Sequence, residues 1–359
     1  MAQEYKPYDP KNMPFRRLGS SGLRVPVFSL GGWLTLGGTV VGDPVKEIIK
    51  IAFENGINMF DTAEGYAEGR SEQEMGRVIK ELNLRRSDLI ISTKLFWGGD
   101  GPNDTGLSRK HIIEGTQASL QRLGLDYVDV IFSHRPDPTG ELPMEEVVRA
   151  FNYVIDQGWS FYWATSEWSA QELEEAHHVA HVYGLIAPVA EQCQHHMLHR
   201  ERPEKEYDPI YRKYGTGTTV FSALAGGLLT GKYNKGIPSD SRLAKHADLP
   251  FLKELIDSFG EEEGRKKLQI VQDLGTLAKD ELGCSVAHLA LAWVAKNPNT
   301  STVILGASRP EQVLDNLQAI EVIPKLTPAV MEKIENILGN KPEPIPTWGR
   351  PPLDKFGRL

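Results

Sequence analysis

Short apolar and β-branched runs recur along the chain at Val27–Leu30, Asn58–Phe60, Leu89–Thr93, Val128–Ser133, Phe161–Thr165, Val189–Gln192, Thr218–Ser222 and Thr302–Leu305. A brief, nearly continuous apolar run is the pattern of a strand covered on both faces. Amphipathic stretches lie between them: PVKEIIKIAFENG, SEQEMGRVIKEL, SRKHIIEGTQASLQRLG, MEEVVRAFNYVIDQG and AQELEEAHHVAHVYG. The second is apolar at Met75, Val78, Ile79 and Leu82, the i, i+3, i+4, i+7 spacing of one helical face. Gly56, Gly124, Gly158 and Gly184 each follow such a stretch, where a helix ends in a left-handed residue. Strands alternating with helices predict an α/β chain folded as a (β/α)8 TIM barrel. The rival doubly wound sheet lacks its G-x-G-x-x-G after the first strand. The opening FRRLGSSGLRVPVF predicts a hairpin ahead of the barrel.

Two regions depart from the repeat. About eighty residues separate the seventh and eighth strand candidates, holding the polar loop NKGIPSDSRLAKHADLP, the charged DSFGEEEGRKK, and helices over KLQIVQDLGTLAKDELG and SVAHLALAWVAKN. A long insertion on a barrel's C-terminal face is a candidate lid. The stretch after Gly339 carries five prolines and no periodicity. The expected organisation is a barrel over 15–340 and a C-terminal arm over 341–359.

Composition narrows the function. With 40 Lys and Arg against 48 Asp and Glu, the 359-residue chain carries a net charge of −8. That argues against a nucleic-acid or anionic-membrane partner. Cys193 and Cys284 are too few for a disulfide framework and suit a reducing compartment, and MAQEYKPYDPKNMPF lacks the apolar core of a signal peptide, so a cytoplasmic location is expected. Val25–Gly42 and Tyr214–Gly231 are charge-free over 18 residues but carry five glycines each. They read as buried strands running into glycine-rich loops, with no membrane insertion.

On a barrel, chemistry sits where strands end. Asp61 ends the second strand, Lys94 the third and His134 the fourth, with Tyr66 on the loop after Asp61. A tyrosine titrates near 10 and is a weak acid at neutral pH unless its anion is stabilised. A neighbouring ammonium does so, a carboxylate holds the ammonium charged, and a histidine can orient a carbonyl. Other motifs are decoys. Gly226–Lys232 spells G-x-x-x-x-G-K, but Tyr233 stands where a phosphate-binding loop needs Ser or Thr. The histidines at 177, 178 and 181 lie on an amphipathic helical stretch, and those at 195, 196 and 199 lack a Glu or Asp at zinc-protease spacing, so surface or packing roles and no metal are expected. Cys193 reads as a buried thiol, while Trp97 suits either a core position or a wall of a substrate pocket.

The order Asp61, Tyr66, Lys94, His134, in the contexts FDTAEGY, STKLFWGG and His-Arg-Pro-Asp-Pro, resembles the aldo-keto reductase tetrad. The likeness runs from RRLGSSGLRVPVFSLGGW to NILGNKP, and GLSRKHIIEG, SGLRV and LGAS resemble the voltage-gated potassium channel β-subunit branch. It implies NADPH bound in an extended pose and hydride transfer to a small aldehyde or ketone, with Tyr66 as acid. Gly32, Trp33 and Thr39 match the nicotinamide end, Asp61 and Lys94 the reacting centre, and Ser166 and Gln192 the carboxamide. Phe221, Ser222, Ala223, Leu224, Ala225 and Gly226 match the segment that stacks on the ring and follows the pyrophosphate. Lys232, Asp240 and Arg242 match the loop over the cofactor. Gly306, Ser308, Gln312, Asp315 and Asn316 match the adenosine end, with Ser308 expected as the cap of the helix that follows. Lys232, Arg242 and Arg309 are cations suited to a 2′-phosphate. His134 stands where the channel branch carries asparagine, which points toward catalysis. Against this stands the alternative of an accessory β subunit of a potassium channel that uses bound NADPH as a redox sensor. The branch also implies a homotetramer able to dock under a membrane channel.

Overall fold

The computed structural model describes residues 5–239, 241–245, 247, 249–344, 346, 348 and 349. Asp240 and most of the expected C-terminal arm lie outside the described residues. The chain opens with an antiparallel hairpin, β1 (Phe15–Arg17) and β2 (Arg24–Pro26), paired from Phe15 opposite Pro26. Eight parallel strands then close into a barrel: β3 (Phe28–Gly31), β4 (Met59–Asp61), β5 (Ile90–Leu95), β6 (Val128–Ser133), β7 (Ser160–Ser166), β8 (Ala190–Gln194), β9 (Gly217–Phe221) and β10 (Thr300–Leu305). Closure comes from β10, which pairs with both β9 and β3. The expected barrel and hairpin are present, with strand ends displaced by at most two residues.

The helices follow the periodic stretches. Helices Asp43–Glu54, Arg70–Glu81, Arg109–Leu123, Met144–Asp156 and Ala170–Tyr183 fill the first five crossovers. Ser108 caps the third by accepting from the His111 amide, and Ser169 forms a reciprocal capping box with Glu172. Gly56, Gly124, Gly158 and Gly184 all take positive φ where their helices end. In the long insertion, a helix covers Glu262–Leu277 and continues as a wider turn through Leu282. It begins five residues before the expected stretch. The apolar SVAHLALAWVAKN forms helix Val286–Lys296, capped by Ser285 and buried along most of its length.

Strand parity divides the molecule into two cores. Side chains on a strand alternate faces, so Ile90, Ser92 and Lys94 of β5 share one side while Ile91, Thr93 and Leu95 share the other. Ile91 and Leu95 belong to the large core between barrel and helices. The other set points inward. Met59, Ile90, Val130, Phe132, Ala164 and Ala190 form an apolar floor inside the barrel, completed by Leu18 and Val25 of the hairpin. The hairpin therefore plugs the N-terminal end. One layer up, the inward positions become polar: Asp61, Ser92, Lys94, Ser166 and Gln192 are all buried. Glu72, on helix Arg70–Glu81, ties the outer face to the strands, accepting from Thr93 Oγ1 and Arg122 Nε at 2.5 Å each.

Candidate active site

Lys94 is fully buried at the C-terminal end of β5. Its Nζ donates to Asp61 Oδ2 at 2.5 Å, to the Thr62 carbonyl at 2.8 Å and to Tyr66 Oη at 3.2 Å, which uses all three ammonium donors. Asp61 Oδ1 in turn accepts from Ser92 Oγ at 2.7 Å and Gln192 Nε2 at 3.3 Å. Each partner reaches this layer because strand parity turns it inward. Burial works against the ammonium, yet Asp61 and Tyr66 outweigh it and hold Lys94 above the ordinary lysine range.

Tyr66 arrives from a tight loop. Glu64 anchors that loop, accepting from the Phe96 amide at 2.6 Å and contacting His111 Nε2 at 2.8 Å. Ala67 and Glu68 both take left-handed φ, 52° and 57°, just after the tyrosine. Gly65 passes against Trp97, where an added Cβ would lie 2.9 Å from the Trp97 carbonyl oxygen. Burial raises the phenol's pKa, Lys94 pulls it down, and the balance stays above its usual value. The sequence reading anticipated only the downward pull.

His134 follows β6. Its ring meets Tyr66 edge-on at 5.5 Å between centroids and Trp97 at 4.8 Å. Burial, then Lys94 and Arg135, push it well below the ordinary histidine range, so the imidazole is neutral. Among the described residues its buried Nδ1 has no hydrogen-bond partner. Nothing there accepts a proton, so the tautomer that fits carries its N–H on Nε2. Trp97 is 44% exposed and packs on Phe96 at 4.9 Å, forming a wall over the mouth rather than core.

The aldo/keto reductase family model covers residues 28–338, from the first barrel strand to the last helix. The chain belongs to the aldo/keto reductase family. A fission yeast (Schizosaccharomyces pombe) relative named as a voltage-gated potassium channel subunit beta is 52% identical over 345 residues, 95% of this chain and 98% of the relative. Relatives with the same kind of name from Arabidopsis thaliana and Oryza sativa subsp. japonica are 50% and 48% identical, each over 92% of this chain and 98% of their own length.

In this aldo/keto reductase several of the positions expected to hold a cofactor lie at or just after the C-terminal ends of β3, β7, β8, β9 and β10. Gly32 lies against Ser71, and the exposed Trp33 and Thr39 flank it on the loop after β3, Thr39 Oγ1 donating to the Leu34 carbonyl. Ser166 and Gln192 are paired neighbours in register on β7 and β8. Gln192 gives its amide N–H to Asp61, which leaves its carbonyl oxygen as an acceptor. Ser166 Oγ accepts from Arg135 Nη1 at 3.2 Å, which frees its own O–H to donate. One donor beside one acceptor is what a primary carboxamide needs. Phe221 ends β9 half-buried, Ser222 takes φ 59°, Ala223 is buried, and Leu224 (φ −98°) leads into a turn where Ala225, Gly226 and Gly227 take φ of 50°, 65° and 98°. Such a left-handed run curls backbone N–H groups toward one side, as an anion needs. Lys232 folds over it: a Cβ added at Gly227 would lie 3.2 Å from Lys232 Nζ.

At the far end the cap differs from expectation. Arg309, not Ser308, is the N-cap of helix Pro310–Leu317. The residue before a proline is driven into extended backbone, and Arg309 has φ −148° and ψ 147°. Ser308 instead donates its amide and hydroxyl to Gln312 Oε1, at 2.7 and 3.2 Å. Gly306 is open, Asp315 contacts His288 Nε2 at 3.1 Å, and Asn316 is buried. Arg242 opens the short helix Arg242–Lys245, while Asp240 is not described.

The decoy residues have structural partners. His177 stacks on Tyr214 at 3.9 Å, His195 contacts Glu204 Oε1 at 2.9 Å, and His196 contacts Gln194 Nε2 at 2.9 Å. Cys193 is buried, and burial pushes its thiol well up. No described helix is long and apolar enough to cross a membrane. Sequence reasoning passed over Ser92, Glu64 and Arg135. Ser92 was findable, lying two residues before Lys94 on the same face; Arg135 directly follows His134.

Proposed function

We propose that this chain is an NADPH-dependent reductase of small aldehydes or ketones, with Tyr66 as the acid. The observation that carries the reading is the buried chain Asp61–Lys94–Tyr66, with Lys94 Nζ 2.5 Å from the carboxylate and 3.2 Å from the phenol. When bound, NADPH supplies the hydride. The residues do the rest. His134, neutral with its N–H on Nε2, donates to the substrate carbonyl and fixes its direction. Tyr66 keeps its proton at neutral pH and gives it from Oη to the oxygen as charge builds there. The tyrosinate left behind lies beside an ammonium already held in place, so little reorganisation is required. Trp97 walls the pocket and excludes water from one side.

The donor and acceptor of Ser166 and Gln192 suit the carboxamide, and Gly226, Gly227 and Lys232 suit the pyrophosphate. Lys232, Arg242 and Arg309 favour a 2′-phosphate, so NADPH should bind more tightly than NADH in fluorescence titration. Replacing Tyr66 by Phe removes the proton and keeps the ring. Turnover of a good aldehyde should fall by about 10²–10⁴-fold while NADPH affinity stays nearly constant. A variant that retains full turnover overturns the assignment.

The names of the relatives support a second role, as an accessory β subunit of a potassium channel; in that role we infer a cytoplasmic homotetramer docked under the channel. Bound NADPH would then report redox state. A permanent ring needs an interface of at least standard size on each barrel. Sedimentation at micromolar concentration tests it, and a 40.0 kDa species removes the ring.

A further inference from the structure

The charges at the barrel mouth do not cancel. Asp61 and Lys94 neutralise one another, and His134 is neutral. Arg135 remains. The guanidinium stands close to the reacting groups: it donates to the His134 carbonyl and lies over Trp97, whose ring meets His134, and its charge opposes a proton on His134. Among the described residues it forms no ion pair. Asp137, two positions on, is held elsewhere: its Oδ2 accepts from Thr139 Oγ1 at 2.5 Å and the Leu142 amide at 3.3 Å.

The guanidinium is held by one nitrogen only. Nη1 donates to the His134 carbonyl at 2.5 Å and to Ser166 Oγ at 3.2 Å, spending both of its hydrogens. Its Cζ lies over the Trp97 ring, 5.5 Å from the centroid and within cation–π reach. Among the described residues nothing engages Nε or Nη2. Those two atoms form the side-on fork that takes both oxygens of a carboxylate. A half-buried cation that is fixed on one edge, held near an aromatic ring and open on the other edge is built to receive an anion.

We propose that Arg135 recognises a carboxylate on the substrate, so that the preferred carbonyl compounds are oxo acids or aldehydes bearing a carboxylate. This rests on the reductase reading above and adds the substrate class to it. Arg135 acts by binding; Tyr66 and His134 keep their roles.

The test compares 4-carboxybenzaldehyde with methyl 4-formylbenzoate, in the full-length protein with NADPH. The ester is the more electrophilic aldehyde, so a preference for the acid arises from recognition. The acid should be favoured in kcat/KM by about tenfold or more, the size expected of one charge-assisted contact. Arg135→Gln should collapse that ratio toward one, and Arg135→Lys, which keeps the charge without the fork, should restore only part of it. Calorimetric titration with 4-(hydroxymethyl)benzoate, which cannot be reduced, provides a second arm: binding should be present in the wild type and lost in Arg135→Gln. Turnover of both aldehydes with no preference overturns the carboxylate assignment and leaves the reductase reading standing. Arg135-dependent binding without turnover of either aldehyde overturns the reductase reading and supports the anion site. A ratio unchanged in Arg135→Gln overturns the proposal, whatever the absolute rates.

Discussion

Replacing Asp61 by Asn would strand the Lys94 charge. The ammonium is wholly buried and Asp61 is its only carboxylate partner among the described residues, so the variant faces two costs. It can keep an unpaired charge in the interior, which typically costs about 3–5 kcal/mol. Or it can release the proton: at pH 7, neutralising a lysine with an ordinary pKa of about 10.4 costs about 4.6 kcal/mol. The second route caps the first, so a loss of about 3–5 kcal/mol is expected at pH 7. The pH dependence separates the routes. In the wild type the folded pKa of Lys94 is raised, so its contribution is fully present below about pH 10.4 and is lost only as pH rises through the folded value. Between pH 7 and 9 the wild type gains or loses nothing from this group. If Lys94 is neutral in the folded variant, its unfolded state binds one more proton, and stability rises by about 1.4 kcal/mol per pH unit. Urea unfolding of both proteins at pH 7, 8 and 9 reads the difference. The gap should narrow by that slope, and adding Lys94→Met to Asp61→Asn should recover most of the loss. A gap constant from pH 7 to 9, unaffected by Lys94→Met, would refute the account of a buried pair.

Two further outcomes follow from the charged groups. Because His134 is held far below its ordinary pKa, kcat/KM should show no acid limb near pH 6.5; a limb there that disappears in His134→Gln would contradict a neutral donor. Glu191 lies fully buried on the outer face of β8, accepting from Thr165 Oγ1 at 2.5 Å, and burial raises its pKa well above the usual range. Its contribution is present below about pH 4.3 and is lost as pH rises toward the folded value. Glu191→Gln should therefore gain stability relative to the wild type between pH 5 and 7, and equal unfolding midpoints at the two pH values would count against a protonated Glu191.

What could be read along the chain was what periodicity controls. The eight strands, the hairpin and the inward placement of Asp61 and Lys94 all follow from parity and strand ends. The helix over Glu262–Leu277 starts earlier than its apolar face suggests, because its first turns are polar. Pairs such as Lys266–Glu262 and Lys267–Glu263, at 2.7 and 2.6 Å, accompany those turns instead of core packing. Ser308 has the right residue type for a cap, but Pro310 moves the cap to Arg309. The phenol's raised pKa was invisible for another reason: charge partners can be named from a sequence, whereas desolvation depends on what packs around them. Arg135 was hidden in the same way, since its proposed role lies in the Nε and Nη2 edge that no described residue engages.

The hairpin that fills the N-terminal end has a consequence for the order of events. With Leu18 and Val25 seated on the apolar floor, the N-terminal end of the barrel is filled and access is left to the C-terminal face. Whatever lies deepest must enter first and leave last, and a second molecule resting above it bars its exit. Geometry thus becomes a queue. Initial-rate and product-inhibition patterns would read that queue as a compulsory order of binding, set by three-residue strands at the opposite end of the molecule from the reacting atoms.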